Sequence, residues 1–373
     1  MKLMWDRQAD IYTAKGWIRG WLGSTDARIS HIEGEPIPAP SGAYRILPGF
    51  IDLHVHGGGG ADVMKGVDDI RKMLRFHARS GTAALCPTTV TAPVDAIEQA
   101  LSAIASVSSS PAPLEAAVLG AHVEGPFVNP LHLGGQPPFA IDPDIELLKS
   151  WIELCDVRIV TLAPELPGAQ AAIRFLKSRN IRVQVGHSAA SAEQLDAASA
   201  WGLTGVTHLF NATPQPSSRN PGVQGWALAK AQFAELICDG LHVHPDMISA
   251  AVRAIPGAFA ITDCCSAAGC EDGEYMLGNN IVVKSGNRVH LPGTDKLAAS
   301  TLVGIAAFRN LIAFGHSMEQ AIRMTAELPA RYIGATDFGS IALDKVASVV
   351  ALNAENELVD VWQRGERLEE ALG

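Results

Sequence analysis

The stretch Phe50-Ile51-Asp52-Leu53-His54-Val55-His56 is an apolar run that ends on two imidazoles, and an amphipathic segment, 68–80, follows it. Strand then helix is the repeating unit of a parallel β/α fold. The unit recurs, with strand-like runs at 83–88, 117–124, 157–163, 181–187, 205–209, 235–239 and 258–263. Together with 50–56 these make eight, the number that closes a (β/α)8 barrel. Segments 68–80, 92–106 and 191–202 have helical composition and apolar spacing, and Ser191 with Gln194 three residues on reads as a capping box. After the eighth run, 275–291 alternates apolar and polar residues around Ser285-Gly286-Asn287, which predicts a β-hairpin before helices resume near Lys296.

The two ends of the chain have a different texture. Residues 1–48 and 338–373 hold short strand candidates, such as 348–352 and 358–362, separated by Gly, Asn and Pro. The expected architecture is an α/β protein: a (β/α)8 TIM-like barrel over 49–337 and a small β-sandwich domain built from both chain ends, 1–48 plus 338–373.

A chain of 373 residues with 47% hydrophobic composition can bury a large core. Its net charge of −10 argues against a nucleic-acid or anionic-membrane partner, because such surfaces need clustered Lys and Arg. An anionic substrate must then be held by local charge. Charged Asp6 and Arg7 come too early for a signal peptide, and no run reaches the roughly 18 apolar residues of a membrane span, so a cytoplasmic protein is expected. The six cysteines show no CxxC spacing and read as a reduced, mostly buried set, with a minor role beside the site left open for Cys264 and Cys265.

The chemistry is carried by where polar residues fall on the strand pattern. His54 and His56 close the first run, Glu124 the third, His187 the fifth, His208 the sixth and Asp263 the eighth. All six lie at the end of the barrel where active sites form. Residues two apart on a strand face the same way, so His54 and His56 can reach one cation. A lone His or Asp at a strand end is ordinarily a satisfied polar group or a helix cap. Six at one topological level point instead to a metal site. Imidazole and carboxylate ligands without thiolate suit Zn2+ first, with Fe2+, Mn2+ and Co2+ as alternatives. One ion or two are both compatible with the set, two being shared if Glu124 bridges. The glycine run 57–60 reads as backbone room beside the metal rather than as a phosphate cradle, since no helix opens directly behind it.

These residues resemble the N-acetylglucosamine-6-phosphate deacetylase family of the amidohydrolase superfamily. The resemblance runs through Leu47-Pro48-Gly49-Phe50-Ile51-Asp52, His122-Val123-Glu124-Gly125-Pro126-Phe127, Gly186-His187-Ser188, Thr207-His208-Leu209-Phe210-Asn211-Ala212, Asp239-Gly240-Leu241-His242, Ile261-Thr262-Asp263 and Pro329-Ala330-Arg331, nearly the whole chain. It implies that Glu124, His187 and His208 are metal ligands and that Asp263 is the proton shuttle. It also implies that Asn211, Ala212, Arg219 and His242 surround an amino sugar phosphate, that Leu297, Ala298 and Ala299 line the sugar, and that a homodimer supplies some phosphate contacts across its interface.

One departure stands out. The family pattern has a His that helps hold the substrate carbonyl in the loop where this chain reads Gly134-Gly135-Gln136-Pro137-Pro138, so Gly135 and Gln136 are the candidate substrate residues there, and Gln136 can donate an amide hydrogen bond but cannot carry a proton or a charge. In the expected reaction, water activated by the cation attacks the N-acetyl carbonyl, with Asp263 taking a proton and returning it to the departing amine. The rival activities are deacetylation of N-acetylgalactosamine 6-phosphate or of another N-acyl amino sugar, raised by Gln136. A non-catalytic assembly protein on the same scaffold would be marked by lost ligands, and none is missing.

Overall fold

The structure, a computed structural model, describes residues 2–368; Met1 and residues 369–373, assigned above to the small domain, lie outside that range. Eight parallel strands form the barrel wall: β1 Phe50–Val55, β2 Thr82–Thr89, β3 Ala121–Glu124, β4 Val157–Leu162, β5 Arg182–Val185, β6 Gly205–Val206, β7 Phe233–Ile237 and β8 Gly257–Ile261. Each pairs in parallel with the next from β1 to β8. All eight expected runs are strands; β3 ends on Glu124 as read and β2 runs one residue further, while the other six stop one to three residues early, so His56, His187, His208 and Asp263 fall just beyond β1, β5, β6 and β8.

The seam between β8 and β1 has no regular ladder, and a buried carboxylate stitches it. Asp52 on β1 accepts Thr262 N–H at 3.1 Å and the Thr262 hydroxyl at 2.5 Å. Beyond that, Asp263 N donates to His54 O at 2.9 Å and His56 N to Cys264 O at 2.8 Å. The polypeptide that carries the site therefore also closes the barrel.

Helices coat the outside. In α1, Val67–Arg79, the buried residues Ile70, Met73, Leu74, His77 and Ala78 recur at the three-and-four spacing of one helical face. The helix at Ala192–Trp201 begins with the expected capping box, Ser191 and Gln194 each satisfying the other's backbone N–H. The segment after β8 differs from the expected single hairpin. It is a three-stranded antiparallel sheet, Gly273–Leu277, Asn280–Ser285 and Arg288–His290, because Gly278-Asn279 makes a second two-residue turn like that at Gly286-Asn287. Nor do helices resume at Lys296: the next starts at Gly304, and 296–303 is irregular, with a left-handed residue at Ala299 and with Lys296 to Ala299 lining the cavity at the barrel mouth.

Both chain ends meet in one curled eight-stranded sheet, in which Tyr44–Pro48 pairs antiparallel with Val349–Asn353. Its own core, including Trp5, Ile11, Leu22, Ile29, Ile46, Val349 and Trp362, is separate from that of the barrel.

The glycine run packs tightly. A Cβ on Gly57 would lie 2.3 Å from Ala61 O, and one on Gly58 would strike Phe76 and His77 of α1. The space the glycines free is thus taken by α1 and the backbone after β8, not by the metal site. His77 is fully buried and its Nε2 donates to Gly57 O at 2.8 Å. Burial pushes its pKa down to about 4, against the pull of the Gly57 carbonyl. Between pH 6.5 and 4 the unfolded chain binds a proton that folded His77 refuses, so stability falls as pH falls through that window, by about 3 kcal/mol from this residue alone. Urea unfolding across that range should show a shallower pH dependence in His77→Gln than in wild type, by about one proton.

Candidate metal centre

β1 delivers two imidazoles to the barrel mouth, and the turns after β5, β6 and β8 deliver His187, His208 and Asp263 in left-handed backbone conformations, with φ of 49°, 27° and 50°. L residues seldom adopt that conformation, and such positions cluster where the surrounding structure over-determines them for function. Here each side chain turns inward from the end of its strand instead of following the strand's alternation.

The result is a fully buried cluster centred on Glu124. Its Oε1 lies 3.0 Å from His187 Nε2 and 2.9 Å from His208 Nε2, while its Oε2 lies 3.3 Å from His56 Nε2 and 3.5 Å from His54 Nε2. Asp263 Oδ1 is 3.2 Å from His56 Nε2. Burial opposes charge on Glu124, yet the surrounding imidazoles, His54 and His187 foremost, hold its carboxyl well below the usual range. Burial likewise disfavours the His56 imidazolium, but the Asp263 and Glu124 carboxylates lift its pKa to about 9.

The donor chemistry fits a divalent cation. Two groups, His54/His56/Asp263 and Glu124/His187/His208, each bring their ligand atoms within 4.8 Å of one another. His56 Nδ1 faces Thr88 O at 3.1 Å and His187 Nδ1 faces His132 O at 3.0 Å, so each donates from Nδ1 and leaves the Nε2 lone pair for the cluster. Lone pairs of His187 and His208 only 3.1 Å apart repel unless a proton or a cation stands between them. Cys264 and Cys265 take no part: burial pushes both thiols up, Cys265 to about 12.

Above the cluster opens a cavity of about 410 Å³, lined by Gly135, Gln136, Asn211, Ala212, His242, Leu297, Ala298 and Ala299 and floored by the metal-site residues. Of the candidate substrate residues only Arg219 is not among its walls; it stands on an exposed loop, 215–220. His132, Phe210, Thr213, Gln215 and Lys296 line the cavity too and were not singled out from sequence. Their loop positions follow from the turns after each strand, which no spacing in the chain reveals. His242 Nδ1 is held by Asp239 at 2.6 Å, which leaves Nε2 for a ligand.

Gln136 is tied into the cluster. Its carbonyl accepts Thr91 N–H at 2.6 Å and its amide donates to Glu124 Oε2. The sequence reading sets this amide against the substrate carbonyl; in the structure one of its two N–H groups goes to Glu124, which leaves a single donor for a ligand.

A cluster of imidazoles and carboxylates fit for a divalent cation, at the carboxyl end of a (β/α)8 barrel, defines a metal-dependent enzyme of the barrel type. The profile of the amidohydrolase family matches residues 45–368, and the chain belongs to that family: it is a hydrolase acting on an amide, of a class that works with a divalent metal. It is 38% identical over 370 residues to an N-acetylgalactosamine-6-phosphate deacetylase of Escherichia coli O157:H7, covering 96% of this chain and 98% of that one. It is 37% identical over 335 residues to an N-acetylglucosamine-6-phosphate deacetylase of Vibrio furnissii, covering 87% and 83%. The fold superposes with a TM-score of 0.87 on a mutant N-acetyl-D-glucosamine-6-phosphate deacetylase of Mycobacterium smegmatis in complex with N-acetyl-D-glucosamine-6-phosphate, 29% identical and covering 96% of this chain and 98% of that one. Among the described residues no helix is long and apolar enough to cross a membrane.

Gln136→Ala would leave the buried Thr91 N–H and one Glu124 lone pair without partners. The expected loss is about 1–3 kcal/mol in urea unfolding of the metal-free protein, with Gln136→Glu worse because it sets a second carboxylate against Glu124.

Proposed function

We propose that this protein hydrolyses the N-acetyl amide of an amino sugar 6-phosphate, converting N-acetylglucosamine 6-phosphate into glucosamine 6-phosphate and acetate. The observation that carries this reading is the placement of Asp263 beside a carboxylate shared by two histidine pairs, at the floor of a cavity sized for a sugar phosphate. Near-full-length relatives named for this reaction support it.

His187, His208 and Glu124 would hold one cation, and His54, His56 and Asp263 would hold a second; Zn2+ is the first choice, with Fe2+, Mn2+ and Co2+ as alternatives. A divalent cation there polarises a carbonyl oxygen and makes water a nucleophile near neutral pH. Asp263 takes the proton of the attacking water and passes it to the amine nitrogen, which leaves as a neutral group. Leu297, Ala298 and Ala299 present a smooth wall to the sugar, and Gly135 keeps the loop close, since a Cβ there would lie 2.7 Å from that of Ala298. Asn211, Ala212 and His242 receive the phosphate end. Exposed Arg219 reaches a phosphate across a homodimer interface, as a planar fork suited to that anion. We place the enzyme in the cytoplasm and the boundary between barrel and end domain at residues 48/49 and 337/338.

The second reading is the same reaction on N-acetylgalactosamine 6-phosphate. Gln136 in the loop where the related pattern has His favours it, as does the E. coli relative that spans nearly the whole of both chains.

Asp263→Asn should keep at least the Glu124/His187/His208 cation and lower kcat by about 10² to 10⁴; near wild-type turnover would remove Asp263 from the proton transfers. Acetate release from both epimers, with and without the 6-phosphate, assigns the substrate. The phosphorylated sugars should show kcat/KM higher by about 10²-fold or more. Equal rates on free sugars would dismiss the roles of His242 and Arg219.

A further inference from the structure

Glu235 is the one charged residue in the apolar run of β7, and it is fully buried inside the barrel beneath the metal cluster. An ionised carboxylate there costs several kcal/mol unless it is partnered. Its Oε2 accepts His54 Nδ1–H at 2.9 Å and the backbone N–H of His208 at 3.2 Å, while Oε1 has no hydrogen-bond partner among the described residues.

His54, His122 and Glu235 lie close enough to suggest a third cation group. The hydrogen bonds argue otherwise. His122 spends both ring nitrogens, Nδ1 on Leu53 O at 2.9 Å and Nε2 on the Thr161 hydroxyl at 2.8 Å. His54 Nδ1 cannot both donate to Glu235 and bind a metal. The group is a support beneath the site.

We propose that Glu235 is a positioning residue that selectively strengthens the cation subsite of His54, His56 and Asp263, an inference that rests on the two-cation reading above. A carboxylate on Nδ1 fixes the tautomer of His54, leaves its Nε2 lone pair beside Glu124 and Asp263, and makes it a more basic ligand. The equivalent positions on His56 and His187 face only neutral carbonyls, those of Thr88 and His132. Glu235 therefore singles out one imidazole of the cluster. Through the His208 amide the same oxygen also steadies the left-handed turn that presents His208, but it makes no hydrogen bond to that ring and does not set its tautomer.

The test is competition of the full chain against a chelator with Zn2+ as the probe, reading the dissociation constant of each equivalent. Glu235→Gln keeps an acceptor for His54 and removes the charge. It should weaken one of two equivalents by about 10- to 100-fold and spare the other. His54→Ala should lose the same equivalent, and adding Glu235→Gln to it should change nothing further. Two equivalents unaltered by Glu235→Gln, or both weakened alike, would overturn the inference while leaving the two-cation reading intact; a single equivalent in wild type would overturn both. Should Glu235→Gln not fold, histidine-labelled wild-type protein decides by 1H–15N spectroscopy. His54 protonated on Nδ1 and bare on Nε2 supports the assignment, and the opposite tautomer refutes it.

Discussion

A carboxylate with no water around it must be surrounded by donors or cations, and the shared burial of Glu124 among four imidazoles is the constraint on which the rest of the structure depends. Its two oxygens each face a pair of histidines, so the strands that carry them must converge to within a few tenths of an ångström. The closed sheet holds these segments, far apart in sequence, at that tolerance. The barrel closes where the need is greatest, at the seam of β8 and β1, and it does so through Asp52, Thr262 and the backbone of His54 and Asp263. Closure of the wall and assembly of the site are one event.

The same constraint explains where the backbone is strained. His187, His208, Asp263, Ala212 and Ala299 all have positive φ, and all border the cavity or the cluster. Each such position costs of the order of 1–3 kcal/mol, which the packing of the continuous buried core beneath offsets. Where the loop carrying Gln136 meets the far wall, by contrast, small residues set the approach. Gly135 against Ala298 sets how close the loop carrying Gln136 can come to the opposite wall.

Charge is handled locally throughout. The protein is acidic overall, with a net charge of −10, yet its mouth gathers imidazoles from five segments and leaves the cation-ready nitrogens free by occupying the others with carbonyls, Glu235 or Asp239. The positive character of the mouth thus comes from histidines and Lys296 on its walls rather than from a basic surface.

Much of this was legible in the chain. The eight apolar runs, the alternation with helices, the capping box at Ser191 and the level at which His54, His56, Glu124, His187, His208 and Asp263 fall are all local properties, because strand and helix periodicity and the exit of a strand at its polar end are set by neighbouring residues. What tertiary structure alone decided is which of those groups share an oxygen, that Gln136 turns its amide to Glu124, that Arg219 stands outside the cavity of its own chain, and that Glu235, an isolated acid in a β-strand, lies under His54. Each of these depends on distances between segments tens to hundreds of residues apart, and such distances follow from barrel closure and left-handed turns rather than from any pattern a single segment carries.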